Sequence, residues 1–195
     1  MRFISFEHSQ LTYYADFMFY GAASLALALF LIVAAPAEQR LALLGFAFSG
    51  LVGWTLIEYG LHRLVLHRVR PFCTWHAEHH RRPVALIGTP TLVSAALIVL
   101  LIFLPALVWQ GLWLATALTF GVLTGYLGYS ITHHATHHWR SDNAWLMRRK
   151  VWHAKHHRTN VVAGHYGVTC SIWDYVFGSC SSESTPTLSG DKPSE

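Results

Sequence analysis

The chain has 195 residues, of which 53% are hydrophobic and 12% charged. Soluble domains carry about 25% charged residues, so this composition excludes an ordinary water-soluble globule and points to a membrane protein. The formal charge of +4 does not indicate a nucleic-acid partner, because the basic residues flank apolar runs, as they do beside membrane spans.

Residues 1–16 are polar and lack the basic cluster of a signal peptide; they are expected to form an interfacial segment. About 20 apolar residues cross a bilayer. Residues 17–35 form the first such run, closed by Pro36, and residues 41–61 form the second, with Glu58 near its end. Residues 91–132 are too long for one crossing. They divide near Trp109-Gln110-Gly111 into a hairpin, and Pro105 is expected to kink its first arm. Residues 17–180 read as one membrane domain, and residues 181–195, rich in Ser, Pro and Gly, as a disordered tail. Cys73, Cys170 and Cys180 are odd in number and include no Cys-x-x-Cys, which favours free thiols over a disulfide framework or zinc knuckle.

Four spans put both termini on one side. Every Lys and Arg except Arg40 then falls on that side, which the positive-inside rule makes cytoplasmic. The expected fold is an all-α integral membrane protein with four transmembrane helices and a cytoplasmic histidine-rich helical cap holding a dimetal site.

That cap follows from the histidines. The chain writes His76-Ala-Glu-His79-His80, His134-Ala-Thr-His137-His138 and His153-Ala-Lys-His156-His157. Residues three and four apart share a helix face, so each outer triplet can offer three imidazoles to a metal, with Glu78 and Lys155 on the opposite faces. His133 pairs with His137 by spacing, and His134 with His138; spacing alone does not choose between them, or the triplet His134, His137, His138. His62 and His67 are five apart, about 140° around a regular helix. They meet one ion only across a bulge or helix end, and otherwise serve two ions. Ten candidates are too many for one ion and suit two with about five each. Glu58 lies one turn before His62. It either holds that imidazole's other nitrogen or, as a helix-end carboxylate, meets Arg63 or water. His8 and His165 stand outside the pattern, though the loop could bring His165 close. Trp75, Trp139, Trp145 and Trp152 flank the clusters as interfacial anchors or as walls of an acyl slot.

The order His-x4-His (62, 67), His-x2-His-His (76, 79, 80), His-x3-His (133, 137) and His-x2-His-His (153, 156, 157), interrupted by a membrane hairpin, resembles the fatty acid hydroxylase and sterol desaturase superfamily. Gly125-Tyr-Leu-Gly-Tyr129-Ser-Ile-Thr-His133 and Tyr166-Gly-Val-Thr-Cys-Ser-Ile-Trp173-Asp174-Tyr-Val-Phe177-Gly are most similar to the catalytic domain of fatty acid 2-hydroxylases. The resemblance covers roughly residues 41–179. Its register implies the ligand set His62, His67, His76, His79, His80, His133, His137, His153, His156 and His157, with His134 and His138 supporting or spare. Asp174, Asp142 and Glu58 could moderate the metals' charge from behind the ligands; Asp174 could equally cap structure beside Trp173.

The resemblance further implies two iron ions, with O2 as co-substrate, hydroxylating an aliphatic C–H bond of a lipid, foremost at the 2-position of a fatty acyl chain. Sterol or carotenoid hydroxylation or desaturation is the alternative within the superfamily. Eukaryotic members often carry a fused cytochrome b5 domain. The 16 residues before the first span do not hold one, so the expected electron donor is separate: a cytochrome b5-like protein, a ferredoxin or a reductase. The compact form implies a bacterial inner membrane. Zinc binds imidazole more tightly than iron(II) and could occupy purified protein. A non-catalytic zinc-binding membrane protein is the reading from another class. Transport is disfavoured, since the spans hold almost no ionisable residue besides Glu58.

Overall fold

The structure, a computed structural model, describes residues 7–158 and 164–180. It is helical throughout, and its nearest approach to a strand among the described residues is one antiparallel bridge between Glu7 and Ile87. Helix α1 spans Gln10–Ala34. It begins at Ser9, whose hydroxyl accepts the Thr12 N–H at 3.2 Å, satisfying one of the free donors of the first turn. Residues 10–16 of the expected interfacial segment form the first turns of α1, continuous with the apolar run that follows; residues 1–6 lie outside the described ones. The helix stops at Ala34, just ahead of Pro36, because the residue before a proline avoids the helical region.

Helix α2 (Arg40–Gly60) runs on into a six-residue π-turn, Leu61–Leu66. The short α3 (Phe72–Arg81) follows, then α4 (Thr91–Ile98), a second π-turn at Val99–Phe103, and the long α5 (Leu104–His138). Helix α6 (Ala144–Arg158) and the short α7 (Ile172–Val176) complete the order. The expected tail at 181–195 lies outside the described residues.

Three stretches are long and apolar enough to cross a membrane: Gln10–Ala34, Ala37–Leu66 and Thr91–His138. A straight helix as long as the third would reach about 70 Å at 1.5 Å per residue, more than twice the hydrocarbon thickness of about 30 Å. It is not straight. Gly111, at φ 77° and ψ 176°, breaks it, a conformation that costs glycine little. Both arms meet the same residue of α1: Ser94 lies 2.7 Å from the Tyr20 hydroxyl, and the Tyr126 ring packs 4.4 Å from the Tyr20 ring. In the first arm, Pro105 follows directly on the π-turn, where wider winding accommodates a residue that has no N–H and crowds the preceding turn.

Tyr20, Trp54, Ile98, Val122 and Leu123 form the core where α1, α2 and the hairpin meet. Helices α2 and α5 touch backbone to backbone. A Cβ on Gly121 would lie 2.0 Å from the Ala47 carbonyl oxygen, and one on Gly50 would lie 2.2 Å from that of Leu118. Such close approach is how apolar helices gain contact where lipid removes the hydrophobic drive. It also runs α2, which leads into the π-turn carrying His62, alongside α5, which carries His133 and His137. Outward, residues such as Leu25, Ile32, Leu44 and Leu101 are exposed. The architecture is that of a membrane protein.

Candidate metal centre

The π-turn resolves the awkward spacing of His62 and His67. Residues five apart become hydrogen-bonding neighbours in a π-helix, and the two rings lie 5.3 Å apart on one side of the chain. They join His76, His80 and His156 in a group whose ligand nitrogens all lie within 4.8 Å of one another. A second group on the same criterion holds His79, His133, His137 and His153.

Each triplet is thus divided between the two groups, not pooled on one ion. Helical geometry explains it. His76 and His80 are about 40° apart around the axis, while His79 falls about 60° to the other side of His76. Helix α3 therefore lies along the line between the groups, and so does α6, sending His156 one way and His153 the other. His157 is the tenth imidazole. Its Nε2 is 3.0 Å from that of His153, and its ring stacks on His80 at 4.2 Å, so it stands between the groups. Glu78 points outward and pairs with Arg81 and Arg82.

The nitrogen separations test whether these residues fit metal ions. In the first group, His76 Nε2 lies 3.0 Å from that of His62, 3.1 Å from His67 and 2.9 Å from His80. One imidazole nitrogen carries at most one proton and cannot satisfy three such neighbours by hydrogen bonding. Two nitrogens each about 2.1 Å from a shared ion and at right angles lie about 3.0 Å apart. The second group repeats the spacing, with His133 to His79 at 3.1 Å and His137 to His153 at 2.8 Å. The donor set fits two ions.

Burial holds the imidazoles in the neutral form that binds metal. It lowers His67 to about 4, His157 to about 3 and His79 to about 2, with neighbouring imidazoles adding to the effect. His76, His153 and His156 are pushed down for the same reasons.

Ligands must also be aimed. His62 Nδ1 donates to the Tyr166 carbonyl at 2.6 Å and His156 Nδ1 to that of Gly164 at 2.7 Å, leaving Nε2 of each for the group. Such contacts fix the tautomer and ring orientation of a metal ligand. Between those carbonyls, His165 takes a left-handed φ of 59°, uncommon outside glycine and asparagine-like residues. Its ring rests edge-on against Trp152 at 4.5 Å and belongs to neither group. Asp174 is fully buried and gathers this segment. It accepts the N–H groups of Tyr166 (2.8 Å) and Gly167 (2.9 Å), the Ser179 hydroxyl (2.7 Å) and the Trp152 indole (3.1 Å).

Glu58 meets neither the His62 ring nor Arg63. Its Oε1 accepts from the N–H of Val168 at 2.7 Å and of Thr169 at 2.9 Å, and the Thr169 hydroxyl donates to Oε2. It ties α2 to the segment that aims His62, so its influence on that ligand passes through the loop. Arg63 instead donates to the Tyr59 hydroxyl at 2.5 Å. His134 turns away from both groups toward α1, with Nδ1 3.2 Å from the Tyr13 hydroxyl, and His138 stacks on it at 4.3 Å. Among the tryptophans, Trp139 and Trp145 are about half exposed.

A cavity of about 130 Å³ opens against the histidines. Its lining includes His76 of the first group, His79 and His133 of the second, the aromatic residues Trp75, Tyr126 and Tyr129, and Thr12, Tyr13 and Asp16 of α1. The α1 lining and the backbone carbonyls of Gly164 and Tyr166 escape a search for ligand-type side chains. The signal for the carbonyls lies in Asp174, the one charged residue in the closing segment 166–178.

Residues 47–179 match the family model for fatty acid hydroxylase. The chain is 34% identical over 140 residues to a dihydroceramide fatty acyl 2-hydroxylase of Arabidopsis thaliana, covering 66% of this chain and 57% of that protein. It is also 34% identical over 153 residues to a ceramide very long chain fatty acid hydroxylase of Schizosaccharomyces pombe, covering 68% and 41%. A fatty acid 2-hydroxylase of Rattus norvegicus is 29% identical over 147 residues, covering 69% and 39%. The chain thus spans less than two thirds of the length of each of these relatives. Among solved structures, the visible hydroxylase domain of scs7p shares its fold at a TM-score of 0.73 and 22% identity, covering 90% of this chain and 69% of that one.

Proposed function

Because this chain belongs to the fatty acid hydroxylase family, we propose that it is a membrane-bound di-iron oxygenase that hydroxylates the 2-position of a lipid's fatty acyl chain. The observation that carries the reading is the pair of converging imidazole groups beside a cavity that touches both. His62, His67, His76, His80 and His156 would hold one ion. His79, His133, His137 and His153, joined by His157, would hold the other. Bound there, the metal pair supplies O2 activation and the oxidation of an unactivated C–H bond. One oxygen atom enters the C–H bond and the other leaves as water, with two electrons from a separate carrier and two protons from solvent. That carrier is a cytochrome b5-like protein, a ferredoxin or a reductase.

The chain's own residues set ligand geometry, exclude water and register the substrate. The carbonyls of Tyr166 and Gly164 hold His62 and His156 in the donor orientation. Tyr129 stacks flat on His133 at 5.7 Å and closes the cavity beside it. The break at Gly111 supports four membrane crossings, with α1, α2 and the two arms of the hairpin spanning. The distribution of basic residues favours a histidine cap and both termini on the cytoplasmic face, and the reading takes the membrane to be a bacterial inner membrane.

The test is anaerobic reconstitution with ferrous iron, a metal count per chain, and then O2 with reductant and a mixed lipid pool. Two irons and a lipid heavier by one oxygen atom support the proposal. A product lighter by two hydrogens would move it to desaturation. Two metals without oxygen consumption, across several electron donors, would replace it with a non-catalytic zinc-binding role.

A further inference from the structure

Away from the metal centre, α6 and the start of α7 enclose an open groove. Arg148, Arg149 and Ser171 bring polar groups to it, and Met147, Val151 and Tyr175 bring apolar ones. No carboxylate lines it. Among the described residues, neither arginine comes within ion-pair distance of an acid. Arg148 donates through Nε to the Ala144 carbonyl of its own helix at 3.2 Å. Arg149 reaches the Thr169 carbonyl at 3.5 Å and the Ser171 hydroxyl at 3.4 Å, longer than the usual range of about 2.7–3.2 Å. A guanidinium has five N–H donors and no acceptor, so the groove concentrates positive charge that the chain itself does not neutralise.

The depth of α7 says what could neutralise it. The Trp173 indole donates to the Thr55 hydroxyl at 2.9 Å, and Phe177 stacks on Tyr59 at 5.4 Å. Thr55 belongs to the apolar stretch Ala37–Leu66 and stands about 8 Å along the helix before α2 ends at Gly60. Helix α7 thus lies against a part of α2 that is inside the bilayer, and its Ile172, Tyr175 and Val176, each more than half exposed, meet lipid. A short amphipathic segment of this kind rests at the boundary of headgroups and acyl chains. There, negative charge comes attached to an apolar tail. Arginine takes phosphate oxygens two at a time. We propose that the groove is a binding site for one anionic phospholipid, whose phosphate is held by Arg148 and Arg149 and whose first acyl carbons cover Met147, Val151 and Tyr175. A free phosphate or an acidic protein would satisfy the arginines and leave the apolar side uncovered. The bound lipid is not the substrate, since the groove shares no lining residue with the cavity at the histidines. It touches the support of the ligands instead, because Trp152 lines the groove and its indole donates to Asp174. The inference holds whatever reaction the histidines serve.

The probes are phosphatidylglycerol and phosphatidylcholine with identical acyl chains. Each is titrated into the metal-loaded full chain in detergent, and one-lipid adducts are counted by native mass spectrometry. At about fivefold for each arginine beside an anionic lipid, the anionic probe should be favoured by roughly twentyfold. Arg148→Gln disturbs no contact outside α6 and should cut that preference by about fivefold. Adding Arg149→Gln should bring the two lipids close to parity. Arg140→Gln removes an exposed cation outside the groove and should change the preference by less than about twofold, as a charge remote from the site allows. Variants are compared where they keep wild-type helical circular dichroism and metal content. Arg149 also touches the loop, so Arg148→Gln alone decides if the double variant does not fold. Equal binding of the two lipids by wild type, an unchanged preference in Arg148→Gln, or an equal loss in Arg140→Gln overturns the site. Displacement of phosphatidylglycerol by inorganic phosphate alone would replace it with a soluble-phosphate site. Stronger competition by polyglutamate than by either lipid would replace it with a face for an acidic protein.

Discussion

At Glu58 a single side chain shows how far a ligand's support can lie from the ligand. The carboxylate is 3% exposed, yet three donors from Val168 and Thr169 satisfy it. Removing it leaves those buried donors unpaired and frees the segment whose Tyr166 carbonyl aims His62. Glu58→Ala should lower metal affinity by about 10–100-fold, the usual cost of losing an outer support, with a larger loss at the five-histidine group. Competitive chelator titration followed by metal analysis measures it, and an unchanged affinity would show that the loop holds itself. The spacing of Glu58 and His62 was legible in the sequence and offered two readings, direct contact with the imidazole or a helix-end carboxylate meeting Arg63 or water. It could not reveal Thr169, 111 residues away in the chain, because helical periodicity orders residues within one helix and says nothing of which loop returns to it. The histidines themselves were legible because imidazoles at three- and four-residue spacing are hard to explain otherwise.

Among the elements, the π-turn at Leu61–Leu66 has a defined task. It turns a five-residue spacing, wrong for a regular helix, into two neighbouring ligands. Deleting Leu64 would restore ordinary winding and shorten the interval to four, but it would also rotate and shift everything that follows toward α3. The variant should keep its helical circular dichroism and bind close to one metal per chain where the intact protein binds two. Retention of both ions would show that the winding is dispensable. This turn follows from the sequence only as a condition, that His62 and His67 share an ion across a bulge or not at all. The hairpin was more openly written, in an apolar run too long for one crossing and a glycine near its middle. The division of the two triplets was hidden, because the facing directions of α3 and α6 are set by packing between helices.

For the whole molecule, the buried cap makes stability depend on pH. In the unfolded chain each histidine titrates near its ordinary value of about 6.5. In the folded protein burial lowers His67 to about 4 and His157 to about 3. Below pH 6.5 the unfolded state therefore takes up protons that the folded state refuses, and stability falls with pH. The contribution is full above about pH 6.5 and lost progressively as pH drops toward 4. Metal-free protein in detergent should show a melting temperature that is flat from pH 8 to about 7 and declines steeply below about 6. Metal-loaded protein should hold its melting temperature further down, until protons displace the ions. A flat profile for the metal-free protein down to pH 5 would mean that the cap opens to water without its metals.

Because α3 and α6 each send ligands to both groups, two ions held there would share those helices, each keeping one element of its own, the π-turn or α5. The first ion to arrive must fix both helices, and in doing so bears the loss of conformational freedom for the second. The second then binds to partners already in place, which is positive cooperativity without any change of shape. Under scarce metal, such a protein divides into filled and empty chains, and half-loaded molecules, in which a lone redox ion could meet oxygen without its counterpart, stay rare.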